Sequence, residues 1–430
     1  MFIDRGQRLF QCLLIMGSGF LFLPQSFGNQ DTIPASPTAN PLQKLVLGAY
    51  GAMNYYNFDW QTDSTKRDAI DQEFFVAELG YHWTEKIRFK TEIEFEHGGT
   101  GASVEFDRFE EYGEFEYEIS KGGEVFVEEM YLEFDVFKAC QLQVGRVEVP
   151  FGSSFSRNEP TDYPTATFSE MEANILPRNW TENGITFSGK IGAKQNWTYH
   201  AGLISGLDGS AFSSANWIKR GNQKRFELVN AESFAGAGRI DYSNSEKLSL
   251  GISLYGGNTT GNRPKPDLPV STPLGIGDFH IQYQPSWAKI NAMFFYGALG
   301  NSEALTNQNR NLSNNLNVKR TPVAAAAIGG FTEIEVPVIK NDNYTPQHHP
   351  ELSVYGRVDY YDTMFRTQGE VFNNPRWERL SFSFGGVLKI IDEVQFKTQY
   401  ILRTVGAPAP TSVDGGTQEN TFILGFAFEL

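Results

Sequence analysis

The chain has 430 residues and a formal charge of −15, with 42 Gly, 35 Phe and 18 Tyr against only 2 Cys. That acidic balance excludes the basic footprint of a nucleic-acid binder, and two cysteines cannot build a disulfide framework. Beyond the N-terminus no apolar run approaches the roughly 20 residues of a membrane-crossing helix. Aromatics and glycine suit strands and turns instead, and a lipid-facing strand shows its apolar side only at every second residue.

Arg5 and Arg8 precede an apolar stretch from Leu9 to Leu23, which ends in Ser26-Phe27-Gly28. A basic head, a short apolar run and small residues at the cleavage positions read as a secretory signal over residues 1–28. Its removal takes Asp4, Arg5 and Arg8, leaving the mature chain one unit more negative, and takes Cys12, leaving Cys140 as the remaining thiol. Residues 29–43 carry Pro34, Pro37 and Pro41 with little to bury and read as a flexible periplasmic tether. Residues 44–430 show no further boundary.

Strands are expected near 44–56, 71–83, 86–97, 124–136, 140–151, 181–191, 197–206 and 231–242. The second half adds 248–257, 276–284, 288–299, 326–339, 351–361, 377–390, 394–404 and 419–430. The third is the most informative: Ile87, Phe89, Thr91, Ile93 and Phe95 alternate with Arg88, Lys90, Glu92, Glu94 and Glu96. Period two over ten residues means one apolar and one charged face. Near the C-terminus Val394, Phe396, Thr398, Tyr400 and Leu402 alternate in the same way with Gln395, Lys397, Gln399, Ile401 and Arg403. Soluble strands peak near 5–6 residues, whereas lipid-crossing barrel strands need about 9–11.

The connections alternate in length. Two residues join strands two and three, and a long stretch from His97 to Gly123 follows the third. Residues 137–139, 192–196, 243–247, 285–287 and 391–393 are short. Residues 152–180, 207–230, 258–275, 300–325, 362–376 and 405–418 are long. Lys340–Pro350 breaks the rule with eleven residues where a short turn belongs. Glu114–Ser120 also alternates and could form an outer hairpin with the fourth strand. The expectation is an all-β fold: a transmembrane antiparallel β-barrel of about sixteen strands, with long outer loops, short periplasmic turns and both termini in the periplasm.

An open sheet in lipid would leave an edge of unpaired backbone groups, so the sheet must close. Slipping the third strand by one residue would turn five charges to lipid, at about 2–4 kcal/mol for each Arg or Lys at the midplane. Its charged face therefore belongs to a lumen, and sixteen strands leave that lumen aqueous. Phe422, Leu424, Phe426, Phe428 and Leu430 end the chain at alternate positions, the pattern of a C-terminal strand offered to outer-membrane assembly. Tyr55, Tyr81, Trp83 and Trp197, near strand ends, fit an interface girdle. Together these features point to the outer membrane of a Gram-negative cell and to a diffusion channel for small hydrophilic solutes or ions.

Four segments resemble the phosphate-selective porin O/P family and its relatives, in that family's order and over nearly the whole mature chain. They are Glu128-Glu129-Met130-Tyr131-Leu132-Glu133-Phe134, Val144-Gly145-Arg146-Val147-Glu148-Val149-Pro150-Phe151-Gly152, Ile175 to Gly184, and Tyr355 to Thr363. The resemblance implies a sixteen-stranded, usually homotrimeric porin with the third outer loop, about 152–180, folded into the pore as a constriction. Glu148 stands where relatives often carry a second basic residue. The constriction candidates are Arg157, Glu159, Asp162, Glu170, Glu172 and Arg178, with Glu182 just beyond. A phosphate path wants converging Arg or Lys, and this set is mixed to acidic. Wall candidates are Arg88, Lys90, Glu92, Glu94, Arg146, Glu148, Arg357, Asp359, Lys397 and Arg403. The pairs Arg146/Glu148 and Arg357/Asp359 would share the inner face and could simply satisfy each other. A phosphate or anion channel and a barrel serving as an adhesin or structural protein through its loops are the alternatives, with a secreted sugar-binding module as a soluble rival.

No enzymatic role, cofactor or metal is expected. Ser, His and Asn form no nucleophile–base motif. His348-His349 lies among turn prolines without ligand spacing, and the acidic run Glu105–Glu118 reads as solvated loop surface rather than a cation site. The expected partners are outer-membrane lipid, solutes or ions, and two further copies, with no nucleic acid.

Overall fold

The computed structural model describes residues 44–430 except 99–102, 108–115, 121–122, 178, 223–227, 245–246, 312–320, 341–349 and 410–411. The signal and tether, Arg178, His348-His349, most of the long Lys340–Pro350 connection and the side chains of the acidic run lie outside the described residues. In chain order the strands begin β1 Leu45–Trp60, β2 Ala69–Thr84, β3 Ile87–Glu96, β4 Ser103–Asp107, β5 Glu116–Ser120, β6 Val125–Phe137, β7 Cys140–Glu148, β8 Thr181–Ile191 and β9 Trp197–Ser205. They continue β10 Phe234–Ser243, β11 Leu248–Asn258, β12 Pro273–Tyr283, β13 Lys289–Leu299, β14 Ala326–Lys340, β15 Glu351–Arg366, β16 Glu378–Ile391, β17 Val394–Val405 and β18 Gln418–Glu429. Two short helices, α1 (Glu170–Ile175) and α2 (Ser302–Arg310), lie in connections.

Sixteen strands close into one antiparallel barrel in which β18 returns to β1, with Glu429 opposite Tyr50 and Glu419 opposite Trp60. Closure removes the edge that lipid would penalise. The remaining two, β4 and β5, form a separate hairpin. The alternating segment at Glu114–Ser120 thus pairs with β4 and not with the strand that follows it, because β6 is already held on both sides by β3 and β7. Connections at one end are short, such as residues 85–86 between β2 and β3, apart from 341–350 between β14 and β15, and those at the other are longer, such as 149–180.

The register follows the alternation. On β3, Ile87 and Ile93 are exposed on the outer surface while Glu92 and Glu94 are buried on the inner one. On β17, Phe396 and Leu402 face out, and Gln395, Lys397 and Gln399 are buried. Phe422, Leu424 and Phe426 continue the outer apolar belt on β18. Aromatic side chains border it at the short-turn end, where Tyr81 meets Trp83 and Trp197 meets Tyr242.

β7 ends at Glu148, three residues before its expected end at Phe151. Pro150 has no N–H for the ladder, and the chain there leaves the wall for the interior. β15 runs five residues further than its alternation suggested, to Arg366.

Candidate functional site

The segment 149–180 crosses the barrel interior from β7 to the opposite wall and returns to β8. Its departure is built at Gly152, whose φ of 84° is a conformation other side chains rarely adopt. A Cβ there would stand 2.6 Å from Glu172 Oε1. Arg239 donates to Gly152 O at 2.5 Å, and Gly152 N donates to Asp278 Oδ2 at 3.2 Å. Ser153 N and Ser154 N donate to Glu172 Oε1 at 2.7 and 3.2 Å, closing the turn onto α1. Phe151 packs edge-on against Trp180 and Phe295.

The far end of the crossing is held by wall side chains about 190–235 residues away in sequence. Arg357, 2% exposed, donates to Thr165 Oγ1 (2.7 Å), Thr167 O (3.0 Å) and Phe168 O (3.1 Å) and bonds Asp359 at 2.8 Å. Asp359, 0% exposed, accepts from Ser169 Oγ at 2.7 Å and from Met171 N at 3.3 Å. Lys397 donates to the carbonyls of Pro160, Tyr163 and Thr165, with its ammonium over the Tyr163 ring. Gln399 Oε1 accepts from Ala166 N at 2.9 Å and Thr167 N at 3.1 Å. Arg403 grips Glu170 with two bonds of 2.6 and 3.0 Å and reaches Glu419 at 2.9 Å.

This arrangement alters the meaning of several expected residues. Arg357, Asp359, Lys397 and Arg403 stand on the inner wall, but the crossing segment covers them and they serve as its anchors. Of the segment's own expected charges, Glu170 and Glu172 are buried and Arg157 is paired with Glu333 at 2.8 Å. Asp162 is exposed and Glu159 half-buried, so of the segment's expected acids these two reach solvent. Burial would raise the Glu170 carboxyl, but Arg403 and Ser381 hold it below its ordinary value. Burial pushes Glu172 up to about 7 against the two backbone N–H groups it accepts from. Burial and the neighbouring Glu429 and Asp162 raise Glu159 to about 9.

Arg88 bonds Glu133, opposite it on β6, and Asp135, two residues further along the same strand. Lys90 contacts Glu92, Glu129 (3.2 Å) and Glu78 (3.7 Å). Arg146 donates to Glu128 O at 2.9 Å and Thr181 Oγ1 at 3.3 Å, so the mutual satisfaction considered for Arg146/Glu148 is made with other partners. Glu148, last in β7, lies among the charges of Glu129, Lys90, Glu92 and Arg239.

A second inward segment was not foreseen. The stretch 206–222 turns Phe212, Trp217 and Ile218 into the barrel, where Trp217 packs against Phe295 and donates to Ala324 O at 3.1 Å. With Leu305 of α2 and Val323 it makes an apolar plug beside the crossing segment. The available signal was Trp217-Ile218 within the otherwise polar stretch Ser213–Arg220. Asn216 Nδ2 donates to Asn174 O at 3.3 Å and ties the two segments together.

No family model matches the chain. An uncharacterized protein of Aquifex aeolicus (strain VF5) is 30% identical over 225 residues, which are 52% of this chain and 46% of that protein. The chain thus spans about half the length of the curated relative it matches. Among solved structures, an anion-selective porin from Comamonas acidovorans aligns with 90% of this chain and 99% of its own, at a TM-score of 0.51 and 9% identity. The outer membrane channel DcaP of Acinetobacter baumannii aligns with 90% and 97%, at a TM-score of 0.50 and 10% identity. The fold is therefore that of a sixteen-stranded outer-membrane porin barrel.

Proposed function

We propose that the chain forms a water-filled channel across the outer membrane, through which small hydrophilic solutes or ions diffuse passively, and that it catalyses no reaction. The observation that carries this reading is the crossing segment 149–180, tied to β15 and β17 by Arg357, Asp359, Lys397, Gln399 and Arg403. A barrel used only as a wall or loop platform has no need of a segment fixed inside it by buried charges. A constriction has that need, since selectivity depends on groups that stay in place while solute passes. The export signal over 1–28, the tether over 29–43 and assembly as a homotrimer complete the proposal. A phosphate path of the kind the sequence resemblance implied has less support, because most inner cations are committed to carboxylates or to loop carbonyls. Liposome swelling is the test. Vesicles containing the folded protein should swell in small neutral sugars at rates that fall steeply with solute size, and vesicles that stay impermeable to the smallest of them would refute the reading.

A further inference from the structure

The inner face of β1 carries a run of aromatic side chains that the anchoring of the crossing segment does not explain. Tyr56, Phe58 and Trp60 stand at alternate positions, opposite Ile423, Thr421 and Glu419 of β18, which are all buried on the inner wall. Tyr55, between them, pairs with Leu424, and both are exposed on the outer belt. The ring centres of Tyr56 and Phe58 are 5.5 Å apart with their planes parallel, and Trp60 follows edge-on at 5.4 Å. All three side chains are half-buried. An interface girdle sets its rings toward lipid, and a packed core encloses them. These rings do neither.

The inner end of the run rests on the crossing segment. Tyr56 packs against Ala166, Ile401 and Ile423, and Asn54 Nδ2 donates at 3.3 Å both to the Tyr56 hydroxyl and to Ala166 O. At the other end Trp60 Nε1 donates to Thr421 Oγ1 at 3.0 Å, and the Arg403 guanidinium that holds Glu170 lies 5.5 Å from the Trp60 ring centre. The run therefore descends from the long-loop end of the barrel to the constriction.

Beside the rings, β1, β2 and their connection border a recess of about 600 Å³, within the range of small-molecule sites. Tyr56 and Phe58 form its apolar side, and its charged lining is Asp63, Asp71 and Glu73 with Lys66 and Arg67. Glu73 accepts from the Tyr56 hydroxyl and from Asn54 Nδ2, and Asp71 is bonded to His97 at 2.8 Å. Lys66, exposed on the connection, rests its ammonium 4.9 Å from the Phe58 ring centre and 5.1 Å from that of Trp60. Such a contact at an exposed site is weak, so an entering solute can displace the ammonium and accept its hydrogen bonds.

Flat apolar rings beside donors and acceptors of both signs match one class of solute. A pyranose has an apolar face of C–H groups, which an aromatic ring takes out of water, and a rim of hydroxyls that both donate and accept. Phosphate and other small anions offer no apolar face and meet three acids here. A small cation meets two bases, which weaken the field that acids alone would give it. The ring spacing is close to the length of one hexose unit, so a short glucan can pass from one ring to the next. Weak stations in series suit a channel, since a solute must leave as readily as it enters.

We infer that Tyr56, Phe58 and Trp60, with the charged rim of the recess, form a binding track that leads short neutral oligosaccharides to the constriction. This rests on the channel reading above and names its solute class.

The experiment is block of the single-channel ion current in a planar bilayer by maltotriose, for the wild type, Phe58→Leu and Phe58→Trp. Polyethylene glycol of equal hydrodynamic size is the probe that cannot stack. In the wild type maltotriose should block reversibly and to saturation, whereas polyethylene glycol should lower the current without saturating. Phe58→Leu keeps apolar bulk but loses the flat face, and should raise the half-blocking concentration about two- to tenfold, the size of one aromatic contact. Phe58→Trp should be blocked at least as tightly as the wild type. A conducting wild type on which maltotriose does not saturate overturns the inference even if a variant fails to fold. So does a Phe58→Leu channel blocked like the wild type, or a Phe58→Trp channel that loses as much as Phe58→Leu. Tetramethylammonium chloride blocking the wild type at lower concentration than maltotriose would overturn it too, by making the rings a cation site. A folded wild type that conducts nothing would refute the channel reading instead.

Discussion

Replacing Arg403 with Met should loosen the crossing segment without unfolding the barrel. Arg403 makes two bonds to Glu170 and one to Glu419, and its side chain is 16% exposed against 7% for Glu170. Removing one partner of a buried ion pair costs about 3–5 kcal/mol. The residual exposure of Arg403 places this case near the lower end, so about 3 kcal/mol, or roughly a hundredfold in the ratio of docked to undocked segment. Glu170→Gln should cost less, because Arg403 keeps Glu419, whereas Arg403→Met leaves Glu170 buried with Ser381 as its remaining side-chain donor. The pH dependence should also reverse. In the wild type Glu170 is held below its ordinary 4.5, so it stabilises docking above that pH and the contribution is lost as pH falls through its depressed value. In the variant burial is opposed only by the Ser381 hydrogen bond and the charge of Arg357, and docking should weaken as pH rises above the ordinary carboxylate range. Single-channel recordings should show larger and noisier conductance, and trypsin should cut at Arg157, which is buried in the docked state. A variant that stays quiet and uncut while heat-modifiable mobility shows it folded would refute the anchoring argument.

Glu172→Gln keeps an oxygen for Ser153 N and Ser154 N and removes the titration. Because the wild-type carboxyl is raised from 4.5 to about 7, docking should weaken by about 3 kcal/mol as pH rises through that interval, and conductance noise in the variant should be flat there. Ile93→Arg puts a charge on the outer belt and should lower folding yield in lipid by an amount equivalent to about 2–4 kcal/mol if it sits near the midplane; a yield equal to that of Ile93→Val would remove the basis of the β3 register. A protease site placed near Gly261 should be cut in intact cells and one near Asp392 spared, and the opposite result would invert the topology.

The wall of this barrel was legible because its signal is local. The charged and apolar positions of β3 and β17 alternate within a few residues of one another, and every slip is penalised by the same lipid. The early end of β7 was also visible in Pro150, though alternation alone ran past it. The interior was legible only in part. Arg357, Asp359, Lys397 and Arg403 could be placed on the inner face, but their partners lie about 190–235 residues away, and nothing in the spacing says that a loop will cover them. For the same reason Glu170 and Glu172 read as charges of the passage when they are buried supports of the segment itself. The plug around Trp217 depends on contacts between two loops and α2, which no period encodes. The partner of β5 was missed because β4 is only five residues long.

A diffusion channel requires that a stable aqueous path remain beside the docked segment. The most direct measurement is conductance in a planar bilayer bathed in potassium chloride. Folded protein should produce discrete, uniform, ohmic steps, and heat-unfolded protein none. A silent bilayer, with the same sample shown by protease protection to be folded and inserted, would contradict the account.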